Sequence, residues 1–296
     1  MKKISYLFGL LLLLGVGIYF VSHRASTPKK TDVRVVVSGY VPYTLVKQIA
    51  GDSVDVQMLL PPGAEPHSFE PTPGALVALN QADAFIYISK ALEPWAADLA
   101  QAAGEQTRVL ALADIFEKTD DPHVWMDFSK MKWMARETAN LLADLNPQKR
   151  GVYEQNAQAF EEQLDELGHV FAQMLAACQY REAVHIGHLA FGNLLRPYAI
   201  KLTALSGTSH EGEHSVKKMI HLAREIKAKN LPAVFTEESV SPRLAQTVAA
   251  ETGVQILPLY SVEHISKSDF DAGVTYLELM RRNLENLKRG LVCPAF

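Results

Sequence analysis

The sequence predicts an α/β protein of two lobes, each with a mainly parallel four-stranded sheet flanked by helices, joined by one long rigid backbone helix. Three observations predict it. Short β-branched runs alternate with segments of helical period through the first 120 or so residues. An uninterrupted helical period then runs from Asn146 to about Cys178. After it the strand–helix alternation resumes and lasts to the end.

In order, "VRVVVSG" at 33–39 is a buried strand closed by Gly39, and "YTLVKQIAG" at 43–51 has helical spacing and a glycine stop. "VDVQMLLPPG" is a strand running into a Pro-Gly loop, "PGALVALNQAD" a helix, "AFIYIS" a strand, "EPWAADLAQAAG" a helix and "TRVLAL" a strand. In 146–178, apolar residues recur at 152, 153, 160, 164, 167, 170, 171, 174 and 175, with Asn146 as N-cap and Pro147 in the first turn. Thirty or so residues at 1.5 Å each make a helix of about 45 Å, a spine rather than a crossover. Beyond it come strands at "EAVHIG", "KLTALSG", "PAVFTE" and "VQILPLY". The helices between and after them are "AFGNLLRPYAI", "SVKKMIHLAREIKAKN", "SPRLAQTVAAETG" and "FDAGVTYLELMRRNLENLKRG". The expected partition is 31–145 for the first lobe, 146–178 for the linking helix and 179–296 for the second lobe.

Residues 1–30 stand apart. Two lysines precede an uncharged apolar run from Ile4 to Val21, the pattern of a secretory signal, with a length that also suffices to span a bilayer. A small-x-small cleavage site is missing, so the reading is a signal peptide or an uncleaved N-terminal anchor followed by the polar linker "SHRASTPKKTD", with a periplasmic or extracytoplasmic body. Net charge is −4, from 29 basic and 33 acidic residues, with no basic stripe, which argues against a nucleic-acid partner. Cys178 and Cys293 are open to two readings, one disulfide or two separate thiols.

Ligands of open α/β sheets bind beyond the carboxyl ends of the strands. His67 follows "VQMLL" through "PPGAEP", His123 lies in "DPHVWMD" beyond "TRVLAL", and His188 follows "EAVHIG" directly. Two come from the first lobe and one from the second, so all three can meet in a cleft. Prolines beside His67 and His123 stiffen their loops and lower the ordering cost of binding. Three imidazoles suit Zn²⁺ best among common ions. For the other histidines solvent or packing is the ordinary reading: His23, His169 and His221 on faces, His185 in packing, and His210, His214 and His264 in polar loops. Neutral imidazole binds metal, so affinity is expected to fall as pH drops through about 6.5.

Taken together, "GAEPHSFEPTPGALVALNQAD", "DPHVWMD", "GHLAFGNLLRPYAI", "LSGTSHEGEHS" and "VFTEESVSPRLAQTVAAETG" resemble the periplasmic zinc/manganese solute-binding proteins of metal ABC importers, over about residues 33–290. The resemblance implies two α/β lobes joined by a rigid helix, His67, His123 and His188 on the metal, Zn²⁺ as cargo with Mn²⁺ as the alternative, a monomer, and an ABC permease in the inner membrane as partner. His188 stands where manganese-type members usually have Glu, which resembles the zinc branch. Leu257, in "ILPL", stands where many members carry a ligating Asp. The fourth position is then open, taken by water, or supplied from Glu237, Glu238, His210 or Glu213, with Glu211 and His214 also in reach of the same loop. The short "EKTDDPHVW" lacks the His-rich insertion of many zinc-type members. The rival function is a His₃ zinc hydrolase with an activated water in the open position, but no HExxH or other general-base motif supports it. An adhesin on the same fold has no feature in its favour. The expectation is therefore a binding protein rather than an enzyme.

Overall fold

The computed structural model describes residues 33–116, 121–208, 216–237 and 242–294. The expected signal or anchor segment lies outside them, as do Glu238, His210, Glu211, Glu213 and His214. Among the described residues no helix is long and apolar enough to cross a membrane. The described residues, from Val33 onward, form one compact unit.

The first sheet comprises β1 (Arg34–Val37), β2 (Asp55–Met58), β3 (Ala84–Tyr87) and β4 (Arg108–Ala111), in the order β2-β1-β3-β4. The second comprises β5 (Glu182–Ile186), β6 (Lys201–Ala204), β7 (Ala233–Thr236) and β8 (Gln255–Pro258), in the order β6-β5-β7-β8. Every pairing is parallel, with Val35 opposite Val56 and Ala84, and His185 opposite Ala204 and Phe235. Both sheets thus have the same topology, and in each the order reverses beside the first strand, leaving a crevice at the carboxyl ends. The central strands β1 and β3 are buried almost throughout, which is why they read as continuous apolar runs.

In the first lobe the helices are α1 (Tyr40–Ala50), α2 (Pro73–Asn80) and α3 (Pro94–Ala102). Two longer ones follow, α4 (Phe128–Leu145) and α5 (Arg150–Ala176). The second lobe adds α6 (Gly192–Leu195), α7 (Val216–Lys229), α8 (Pro242–Thr252), α9 (Lys267–Asp271) and α10 (Tyr276–Gly290).

The spine is α5, 27 residues long, and two details differ from expectation. Asn146 makes no capping hydrogen bond, and Pro147–Lys149 form a 3₁₀ turn before the α-helix begins at Arg150. Moreover, α5 is not alone. The unforeseen α4 runs antiparallel to it, as three pairs of decreasing separation show: Phe128 stacks edge-on against Phe171, Lys132 bonds Asp165 at 2.5 Å, and Arg136 pairs with Glu161. The buried stripe of α5 is Tyr153, Ala157, Phe160, Leu164, Leu167, Phe171 and Leu175, at steps of three and four. Each fully buried side chain of this kind contributes about 1.5–3 kcal/mol, and Phe171→Ala would cost about 3–5 kcal/mol. One apolar cluster extends from Val35 and Leu45 through Met134 and Leu164 to Leu259 and Met280, so the core is shared by both sheets and the helical hairpin.

Cys178, just past α5, and Cys293, just past α10, are joined in a disulfide. Backbone bonds from Gln179 to Val292 and from Tyr180 to Leu291 hold the same two segments side by side. The C-terminal helix is thereby fastened to the end of the spine. At its other end α10 begins with a capping box, Thr275 with Glu278.

Candidate metal centre

Four connections at the carboxyl ends of the strands supply the centre. His67 comes from the loop after β2, His123 from the loop after β4, His188 from the turn after β5 and Glu263 from the loop after β8. One nitrogen or oxygen from each lies within 4.8 Å of all the others. His123 Nε2 and His188 Nε2 are 3.0 Å apart. Glu263 stands 2.9 Å from His188 Nε2, 3.3 Å from His123 Nε2 and 3.7 Å from His67 Nε2. Four groups at 2.0–2.1 Å from one zinc ion would be about 3.3 Å apart along the edges of the tetrahedron. The observed edges bracket that value.

Each loop holds its side chain by local means. In "DPHVWMD" the two acids have different tasks. Asp121 accepts from the His123 backbone N–H at 3.0 Å and faces His123 Nδ1 at 2.8 Å, while Asp127 caps α4 by accepting from Ser129 and Lys130. A carboxylate only accepts, so Nδ1 carries the hydrogen and Nε2 turns a lone pair inward. Asn193 braces the same stretch by donating to the carbonyl of His123 at 3.1 Å. His188 repeats the device with Glu237, whose Oε1 accepts from its backbone N–H at 2.9 Å and from Nδ1 at 3.0 Å. Glycine makes room for both acids. A Cβ on Gly187 would lie 2.2 Å from Glu237 Oε1, and one on Gly192 would lie 2.7 Å from Asp121 Oδ2. His67 is placed by its neighbours: Glu65 accepts from its N–H at 3.0 Å, and Trp95 Nε1 donates to the carbonyl of Pro66 at 2.7 Å.

The Glu263 loop is tied across to the first lobe. Trp125 Nε1 donates to the carbonyl of Ser261 at 2.8 Å, and Tyr276 donates to the carbonyl of Trp125 at 2.7 Å. His264 Nδ1 donates to the carbonyl of Ala64 at 3.0 Å, and its Nε2 lies 3.4 Å from Glu65 and 3.6 Å from Glu263. Val262 has φ +68°, a costly conformation for a buried β-branched residue, and it is the residue that turns Glu263 inward.

The centre is dry. The side chains of His123 and His188 are 0% exposed, Glu263 2% and His67 8%. Burial opposes charge on His188, but Glu263 and Glu237 outweigh it and raise its pKa to about 10. His123 is raised too, with burial again outweighed by Glu263 and Asp121. Burial dominates at His67, which falls to about 4. Glu263 goes well below the usual carboxylate range: burial works against its charge, and His123 and His188 prevail. His264 is lifted to about 9, since Glu65 and Glu263 outweigh its burial. The histidines therefore do not share one titration near 6.5.

Of the candidate site residues, the structure brings His67, His123 and His188 together. Glu237 lies against Nδ1 of His188, on the side away from Nε2, with Oε1 3.0 Å and Oε2 2.8 Å from that nitrogen. Leu257, at the position of the missing Asp, is buried beside Gly290 in the core of the second lobe. The carboxylate comes instead from Glu263, six residues further on, which the sequence reading overlooked. His264, read as a polar-loop residue, is buried as well, because its ring bridges the two lobes. A visible signal was available for both: "SVEHIS" is a connection after a strand, like those that carry the three histidines.

Fold and pocket together define a two-lobed α/β protein whose inter-lobe centre is built to enclose one small cation. Residues 35–290 match the family of the zinc-uptake complex component A, periplasmic, and the chain belongs to that family. It is 30% identical over 312 residues to the zinc-binding lipoprotein AdcA of Streptococcus pneumoniae, covering 98% of this chain but 61% of that protein. It is 29% identical to the high-affinity zinc uptake system protein ZnuA of Bacillus subtilis, covering 92% of each. The crystal structure of the Zn(II)-bound ZnuA-like domain of S. pneumoniae AdcA superposes with a TM-score of 0.77 at 29% identity, covering 88% of this chain and 98% of that one.

Proposed function

We propose that the protein is an extracytoplasmic Zn²⁺-binding protein, which captures the ion between its lobes and delivers it to an ABC-type permease. One observation carries this reading. His123 and His188 commit their Nδ1 hydrogens to Asp121 and Glu237, so both Nε2 atoms point inward, 3.0 Å apart, beside the Glu263 carboxylate. Such an arrangement requires a positive charge at its centre, and in the metal-free protein the proton on His188 supplies it. Zn²⁺ replaces that proton, with His67, His123, His188 and Glu263 as its four ligands.

Three imidazoles and one carboxylate favour zinc over manganese, which prefers oxygen-rich octahedral sites. Four protein ligands also close the coordination shell. A hydrolytic zinc site keeps one position for water. The Glu263 carboxylate takes that position here, so the protein binds and releases rather than catalyses. The relatives named above, a zinc-binding lipoprotein and a zinc uptake protein, support the same reading. The extracytoplasmic setting and a permease partner follow from membership of the family, and a monomer suffices because all four ligands come from one chain.

X-ray absorption at the zinc edge tests the ligand set. A shell of three nitrogens and one oxygen at about 2.0–2.1 Å, with imidazole outer-shell scattering, is expected. An oxygen-rich six-coordinate shell would contradict it, as would turnover of esters or peptides by the loaded protein.

A further inference from the structure

Behind the centre lies a second carboxylate that none of the chemistry above employs. Glu93 immediately precedes α3, two residues before the tryptophan that pins the His67 loop, and it is 1% exposed. Its Oε2 accepts from the backbone N–H of Ile88 at 2.7 Å. It lines a small cavity, with room for about one water molecule, whose walls include Leu60, Ile88, Leu92, Trp125 and Glu263. Among the described residues no lysine or arginine lines this cavity. The titratable groups on it are Glu93, Glu263 and Tyr40, the last pushed up to about 12 chiefly by burial.

Two carboxylates on one small buried cavity without a cation between them cannot both ionise cheaply. The surroundings separate them. Glu263 has His123 and His188 against it and keeps its charge. Glu93 has one backbone N–H, Ser38 and apolar walls, and burial above all raises its pKa to about 7. A dication on Glu263 adds positive charge beside the cavity: Glu263 with protonated His188 is close to neutral, whereas Glu263 with a dication in place of that proton is net positive, which favours ionisation of Glu93.

We propose that Glu93 is a proton-exchanging group of the metal centre, which holds a proton in the metal-free protein and releases it when a divalent cation binds. The inference rests on the zinc reading of the centre. In the step, the O–H bond of Glu93 breaks, its electron pair stays on the carboxylate, and the proton passes to water. The bound state then has a second negative charge behind the ion. Loading and proton release become linked, and reprotonation of Glu93 favours discharge of the ion.

The test is calorimetric titration of the full chain with Zn²⁺, in pairs of buffers of different ionisation enthalpy, beside Glu93→Gln. Glutamine retains an acceptor for Ile88 and the side-chain volume. With a pKa of about 7, Glu93 carries roughly three-quarters of a proton at pH 6.5 and almost none at pH 8.5. The variant is expected to bind one equivalent of zinc and to release more than half a proton fewer than wild type at pH 6.5, with equal release at pH 8.5. Equal release at both pH values, with zinc still bound, would overturn the proposal and leave the zinc reading intact. Absence of zinc binding by the wild type would instead remove the reading beneath it. Should the variant fail to fold, infrared difference spectra of the wild type with and without Zn²⁺ decide: loss of a protonated-carboxyl stretch on loading supports the proposal, and an unchanged carboxyl region overturns it.

Discussion

Replacing Glu237 by Gln separates its role from that of Glu263. Glu237 Oε1 accepts both the backbone N–H and the Nδ1 hydrogen of His188, at 2.9 and 3.0 Å, so it sets the direction of Nε2 without reaching the ion. A glutamine keeps one acceptor oxygen but no charge, and its amide would set a donor where Oε2 faces Nδ1 at 2.8 Å. Loss of a carboxylate that orients a ligating histidine costs about 10–100-fold in metal affinity. That is about 1.4–2.7 kcal/mol at 1.36 kcal/mol per tenfold step. Glu263→Gln removes an ionised ligand from the pocket itself and should exceed that range. Gly187→Ala provides an independent check, because the added Cβ would stand 2.2 Å from Glu237 Oε1 and must displace it. Its effect should match that of Glu237→Gln and should not add to it fully in the double variant. Competition against a chelator of known zinc affinity reads all four proteins. A larger loss for Glu237→Gln than for Glu263→Gln would refute the reasoning and move Glu237 onto the ion.

Other outcomes follow from the same geometry. Zinc affinity should climb with pH from 6 to beyond 8 without levelling near 6.5: His188 holds a proton below about 10 in the metal-free state, so metal and proton compete across the whole window, by about tenfold per pH unit and more steeply below pH 7, where Glu93 also holds a proton. A chelator titration over that range checks it, and a plateau above pH 7 would count against it. His264→Ala removes the ring that joins the Glu263 loop to the carbonyl of Ala64, and should weaken zinc binding by about tenfold or more. Reduction of Cys178–Cys293, which closes a separation of 115 residues, should cost about 2–4 kcal/mol of stability, seen as a lower midpoint in denaturant.

Much of the fold was legible because both sheets are parallel and their inner strands are buried on two faces, so strands and helices differ plainly in period. The helix α4 was missed although Met131, Met134, Ala135, Thr138, Ala139 and Leu142 have the right spacing; its N-cap, Asp127, belongs to the stretch whose histidine drew notice. The three histidines were legible as residues on strand-end loops. Glu263 was not, for a physical reason. It sits in irregular chain without period or cap signal, aimed by an unusual backbone at Val262 and held by Trp125 and His264, contacts that span more than a hundred residues. At the position of Leu257 packing against Gly290 requires an apolar side chain, and of the other acids the sequence offered for the fourth position Glu237 faces Nδ1 of His188 instead.

The central claim is that His67, His123, His188 and Glu263 form one zinc site. Its most direct test is the zinc isotherm of the protein beside His67→Ala, His123→Ala, His188→Ala and Glu263→Ala. The account predicts one tightly bound equivalent in the wild type and severe weakening in each variant, with folding retained by circular dichroism. Tight, stoichiometric binding that survives any one of the four changes would contradict it.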